Sequence, residues 1–156
     1  MRKEVVFIIA FLVFTIGTAS VIWLAALPNF KPVTFPQVTA GKIFVGPMRR
    51  VRQLNAAEIA TVNDWLQHHT HGWGPLSQTP PSSGDARLEL QAQRDGKSDP
   101  ITLTLWTGIS AADWNDTVFV EAPDGKKVRT ETFSAAEFAP LGKLVDGGAY
   151  QKSAFP

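Results

Sequence analysis

The residues best suited to chemistry fall in one short stretch: Asp64, His68, His69 and His71, flanked by Trp65 and Trp73. All three histidines of this 156-residue chain lie there. Imidazole and carboxylate are ligands for Zn²⁺ and similar divalent ions. Asp64, His68 and His71 stand at i, i+4 and i+7, which is one face of a helix if the helix reaches His71. These three are the candidate metal ligands. No H-E-x-x-H or comparable spacing reinforces them. Histidines also suit a helix C-terminus on electrostatic grounds, because the carbonyl end of the dipole favours the charged ring. An ordinary polar helix end is therefore the plainer expectation.

Covalent catalysis needs a nucleophile beside a base. The chain has no cysteine, which removes thiol nucleophiles, Cys-ligated zinc, iron–sulfur clusters and disulfides. Ser77, Ser82 and Ser83 follow the histidines, but none sits in a G-x-S-x-G turn. There is no P-loop and no G-x-G-x-x-G. From Glu58 onward there are 13 acidic residues, and none stands out as a glycosidase-type pair. The expectation is a non-enzyme without a cofactor, with a small hydrolase using His68 or His69 as the remote alternative.

Recognition is better represented than catalysis. Trp73 sits in a glycine-rich stretch, and Trp106 and Trp114 bracket a polar connection. Tryptophan in such places anchors protein partners or stacks on sugar rings, or else caps a small core. Arg49, Arg50 and Arg52 form a basic edge interrupted by Val51. These six residues are the candidate partner-binding set. The near-neutral total, 15 Lys+Arg against 14 Asp+Glu, offers no case for nucleic acid, yet it conceals two blocks. Between Pro28 and Ala57, Lys31, Lys42, Arg49, Arg50 and Arg52 stand with no acid, giving +5. From Glu58 on, 8 basic residues face 13 acidic ones, giving −5. The basic segment could touch anionic lipid or an acidic partner. The simpler expectation is that it pairs with the acidic part of its own chain.

The elements that must position these residues begin with a membrane-type segment. Residues 1–4 form a short head, and Val5–Leu27 is an uncharged run of 23 residues, long enough to cross a ~30 Å hydrocarbon core. Trp23 suits an interface and Pro28-Asn29 a helix stop. The rival reading is a signal sequence with a small-x-Ala site at Gly17-Thr18-Ala19. Against it, apolar character resumes from Val21 to Leu27. Arg2 and Lys3 favour a cytoplasmic N-terminus, although Lys31 and Lys42 nearly balance them. Prolines 28, 32 and 36 predict a stiff spacer over residues 28–41.

The domain is expected over residues 42–148, with a tail at 149–156. Lys42–Val45 and Arg50–Leu54 read as a strand pair or one interrupted strand. Asn55 and Glu58 make a capping box, Leu54 and Ile59 a hydrophobic staple, and the helix ends near His69. Residues 71–84 form a long loop. Residues 86–93 and 101–106 alternate as a hairpin around Asp95-Gly96, and 117–121 and 127–133 form a second hairpin around Pro123-Asp124-Gly125. Ser134 and Glu137 cap a last helix in which Pro140 predicts a kink or an early end.

The expected fold is α+β: one transmembrane helix, then a two-layer domain with an antiparallel sheet of two hairpins plus an N-terminal strand, and two helices on one face. The expected role is a non-catalytic, single-pass accessory or scaffold subunit of a bacterial-type envelope complex at the inner membrane. Its partners would be the bilayer and other proteins of that complex. A periplasmic metal- or small-ligand-binding domain using the His68/His71 region is the second reading.

Overall fold

The computed structural model describes residues 3–26, 32–76, 78–121 and 128–146, and the chain divides into two units, residues 1–31 and 32–156. In the first unit, α1 (Lys3–Ala26) is a 24-residue helix with no buried residue. It is long and apolar enough to cross a membrane, a property shared by anchors and signal sequences. Its polar side chains are satisfied internally: the hydroxyls of Thr15, Thr18 and Ser20 donate to the carbonyls of Phe11, Phe14 and Ile16, each at 2.8 Å. The expected stop at Leu27-Pro28-Asn29 lies outside the described residues, as do Ser77, Pro123-Asp124-Gly125 and the tail.

The second unit is an α+β domain. Its strands are β1 (Gln37–Val45), β2 (Arg50–Gln53), β3 (Gly74–Pro75), β4 (Ala86–Arg94), β5 (Lys97–Ser98), β6 (Ile101–Trp106), β7 (Thr117–Glu121) and β8 (Val128–Thr132). They form one antiparallel sheet in the order β2-β1-β4-β6-β7-β8-β3, with β5 folded back on β4. Alternation sorts the two faces. Ile43, Leu88, Leu103 and Val120 lie at matched register positions and are fully buried on one face. There they share a core with residues of α2 (Ala56–His68) and α3 (Ala135–Asp146). The same register places Lys42, Glu89, Thr102 and Glu121 on the opposite face.

Both helix starts follow the local grammar of the sequence. The Asn55 side chain accepts from the Glu58 amide at 3.0 Å, and Glu58 accepts from the Asn55 amide at 2.8 Å. Ser134 and Glu137 repeat this exchange at 3.4 and 3.0 Å. Each pair supplies acceptors to amides that a helix start leaves without intrahelical partners. Pro140 does not shorten α3, which runs 12 residues through it. The Asp95-Gly96 turn has both residues at positive φ, 51° and 76°, the geometry of a type I′ hairpin.

Two expectations change. The segment expected as spacer belongs to the domain from Val33 on: the Val33 amide donates to the Thr70 carbonyl at 2.8 Å, Phe35 is buried, and β1 begins at Gln37. Phe35 and Val38 supply apolar surface to the core, and the extended bias of the prolines suits a segment that leads into a strand. Asn63, a polar residue of α2 that amphipathic patterning would put with Glu58 and Asp64 on the solvent side, is buried instead. Its side chain accepts from the Val38 amide at 2.8 Å and donates to the Val38 carbonyl at 2.9 Å. It satisfies the β1 backbone where a bulge between Val38 and Ala40 breaks the ladder register.

Candidate functional site

The histidine stretch ends α2. His69 is the C-cap at φ −115° and ψ 57°, so the helix does not carry His71 onto the face of Asp64 and His68. The three proposed metal ligands are therefore not brought together. Asp64 and His68 remain neighbours, with Oδ1 and Nδ1 3.5 Å apart, while Nδ1 of His71 lies 2.9 Å from the Thr70 hydroxyl. No cluster of three or more metal-ligating side chains occurs among the described residues.

What forms in its place is a groove of about 550 Å³ between α2 and α3, lined by Asp64, Trp65, His68, His69, Glu137 and Pro140 among others. His68 and His69 are held the same way. Nδ1 of His68 lies 2.8 Å from the Asp64 carbonyl, and Nδ1 of His69 lies 2.7 Å from the Trp65 carbonyl. A carbonyl can only accept, so Nδ1 carries the proton in both. In the neutral rings Nε2 is then an acceptor for a ligand's hydrogen-bond donor. His69 is stacked on Trp65 at 4.4 Å between ring centroids. The Glu137 carboxyl is held below the usual carboxylate range, first by the Ser134 hydroxyl and amide and then by the charge of His69. Glu137 enters this site from α3 and was legible only as a helix cap.

The aromatic candidates separate. Trp73 is only 3% exposed and is packed with Phe35, Trp65 and Phe133, its indole N–H donating to the His69 carbonyl at 2.6 Å. It is a core residue, which corrects its place in the partner-binding set. Trp106 is also buried, at 2%, and its indole donates to the Ser82 hydroxyl at 3.0 Å. Trp114 is half-buried and rests on Trp106 and Phe119.

The arginines divide too. Arg52 pairs with Glu58 at 2.8 Å and donates to the Leu144 carbonyl at 2.8 Å, tying β2 to both helices. The Arg52 hydrogen bond holds Glu58 below the usual carboxylate range, with the Asn55 amide adding to it against some burial. Arg49 donates to the Ser83 carbonyl and hydroxyl. Lys42 pairs with Glu89 at 3.0 Å. The basic block thus does pair in part with its own domain. Arg50 is exposed and lies near Met48, which is 82% exposed at the tip of the β1–β2 hairpin.

Asp85 was not singled out by the sequence. It is 1% exposed, and its carboxylate accepts from the amides of Thr107, Ile109 and Ser110 and from the Thr107 hydroxyl at 2.7–3.3 Å. An acid directly before an alternating apolar strand was the available signal. Its partners lie in a distant loop.

Comparison with known protein families, curated proteins and solved structures finds no match to this chain.

Proposed function

We propose that this chain is a non-catalytic, single-pass, membrane-anchored accessory or scaffold subunit of a bacterial-type envelope complex. Its N-terminus lies in the cytoplasm and its α+β domain on the far side of the inner membrane. The observation that carries this reading is α1. Lipid demands that every backbone and hydroxyl donor be satisfied within the segment, and α1 meets that demand through Thr15, Thr18 and Ser20. Apolar character also resumes beyond Gly17-Thr18-Ala19, from Val21 to Leu27, which favours an anchor over a signal cleaved there. Arg2 and Lys3 favour the cytoplasm for the head. An exposed hairpin tip bearing Met48, Arg50 and Val51 suits contact with a partner.

The test is solubilisation of the full chain in mild detergent followed by identification of co-purifying proteins. Larger membrane subunits are expected in stoichiometric amount. A lone monomer overturns the reading.

A second reading, a binding or sensing domain for a small ligand, is favoured by the groove with its two Nδ1-tethered histidines. Its measure is the shift of the His68 and His69 ring resonances as candidate ligands are added, and metal content before and after His68→Ala. Unmoved resonances and an unchanged, substoichiometric metal content remove it.

A further inference from the structure

We infer that the cleft beside Trp114 on the open face of the sheet binds a neutral saccharide. The cleft holds about 260 Å³ and is lined by Gln78, Asp113, Trp114, Thr117, Thr130 and Thr132, with Leu76 as its aliphatic member. Thr117, Thr130 and Thr132 share the sheet face opposite the helices, because they pair in register with one another and with Trp106 and Phe119.

The aromatic surface is fixed. Trp114 lies against Trp106 at 5.3 Å and Phe119 at 5.4 Å between ring centroids, and those two rings are themselves 4.5 Å apart and buried. A half-buried indole held in this way is a rigid platform, which binds at low conformational cost. A pyranose offers a C–H face that packs on such a ring and a rim of hydroxyls that each need donors and acceptors.

The rim of the cleft supplies both. The Asp113 carboxylate, the Gln78 amide, the Thr130 hydroxyl and the Trp114 indole N–H make no hydrogen bond to the described residues. Thr117 and Thr132, by contrast, bond to each other at 3.0 Å. The uncommitted groups thus include a pure acceptor, a pure donor and two that do both. Among the described lining residues Asp113 is the only charged one, so nothing there neutralises a phosphate or a carboxylated sugar. The volume lies below the ~300–1,000 Å³ of pockets for drug-sized ligands. It suits one sugar ring, with the rest of any longer glycan left in solvent. The inference does not depend on α1 spanning a membrane, so it stands or falls apart from the proposed function.

The test uses the full chain in a detergent without a sugar headgroup. Glucose, N-acetylglucosamine and the β-1,4-linked tetrasaccharide of each are titrated while heat and tryptophan fluorescence are read. Saturable binding of at least one tetrasaccharide is expected, weakened tenfold or more by Trp114→Ala and by Asp113→Ala, and unchanged by Lys97→Ala at an exposed position outside the cleft. Asp113 is exposed, and an unchanged urea midpoint for Asp113→Ala separates lost binding from lost folding. Equal affinity for one ring and four marks a free sugar as the ligand, and tighter binding of four marks a glycan chain. No saturable binding to any of the four, or binding that neither variant weakens, overturns the site. So does an extended peptide that occupies the cleft while none of the four sugars displaces it.

Discussion

Asp85 holds the loop after β6 in place. Its carboxylate accepts four hydrogen bonds from residues 22 to 25 positions along the chain. Removing it leaves three part-buried amides without their acceptor, and a hydrogen bond to a charged group is worth about 1.5–3 kcal/mol. Asp85→Ala should therefore lower stability by about 3 kcal/mol or more in urea unfolding of the full chain, and Asp85→Asn by less. Two glutamates give opposite pH signatures. Glu58 is depressed in the fold, so its contribution is present above the ordinary carboxylate range and is lost as pH falls through the folded value. Glu131 is raised, first by burial and then by the charge of Glu137, so its ionisation costs stability as pH rises through the folded value. Glu58→Gln should destabilise at pH 7, and Glu131→Gln should stabilise there. Both differences should shrink as pH falls into and below the carboxylate range in unfolding curves from pH 3 to 7. Such residues were not equally legible in the sequence. The Asn55–Glu58 box is an i, i+3 pattern and reads directly. The burial of Asp85, Asn63 and Trp73 depends on contacts that no local spacing encodes.

At the level of elements, alternation and turn chemistry carried most of the domain. The β4–β6 pair follows from a period-two pattern, the β7–β8 pair from turn chemistry between two short β-prone runs, and the two helices from their caps. The pieces that escaped have too few residues for a period. β3 and β5 are two residues each and exist because β8 and β4 offer them backbone partners. The α2–α3 groove escaped for a related reason: Asp64 and His68 are local to one helix, but Glu137 reaches the site only when α3 docks. Gly84 shows how tightly a turn can be specified. Its φ is +82°, and an added Cβ would meet the Thr104 side chain and the Leu105 carbonyl. A non-glycine residue held in that backbone region costs about 1–3 kcal/mol. Gly84→Ala should lower the urea midpoint accordingly, with m unchanged if the unfolded state is unaffected.

For the whole molecule, the division at residues 31 and 32 separates two kinds of physics. The apolar helix has no buried residue, whereas the domain builds its own core across sheet and helices. The near-zero net charge of +1 hides a basic segment that the domain partly neutralises through Lys42–Glu89 and Arg52–Glu58. At the tip of the β1–β2 hairpin, Met48, Arg50 and Val51 stay exposed, and under the proposed function this is where a partner would dock. The most direct measurement of the anchored reading is the intact mass of the chain recovered from membranes washed at alkaline pH. The full, uncleaved chain is expected in the membrane pellet, and the chain without residues 1–31 in the soluble fraction. A soluble chain shortened to begin near Ser20 would contradict that reading.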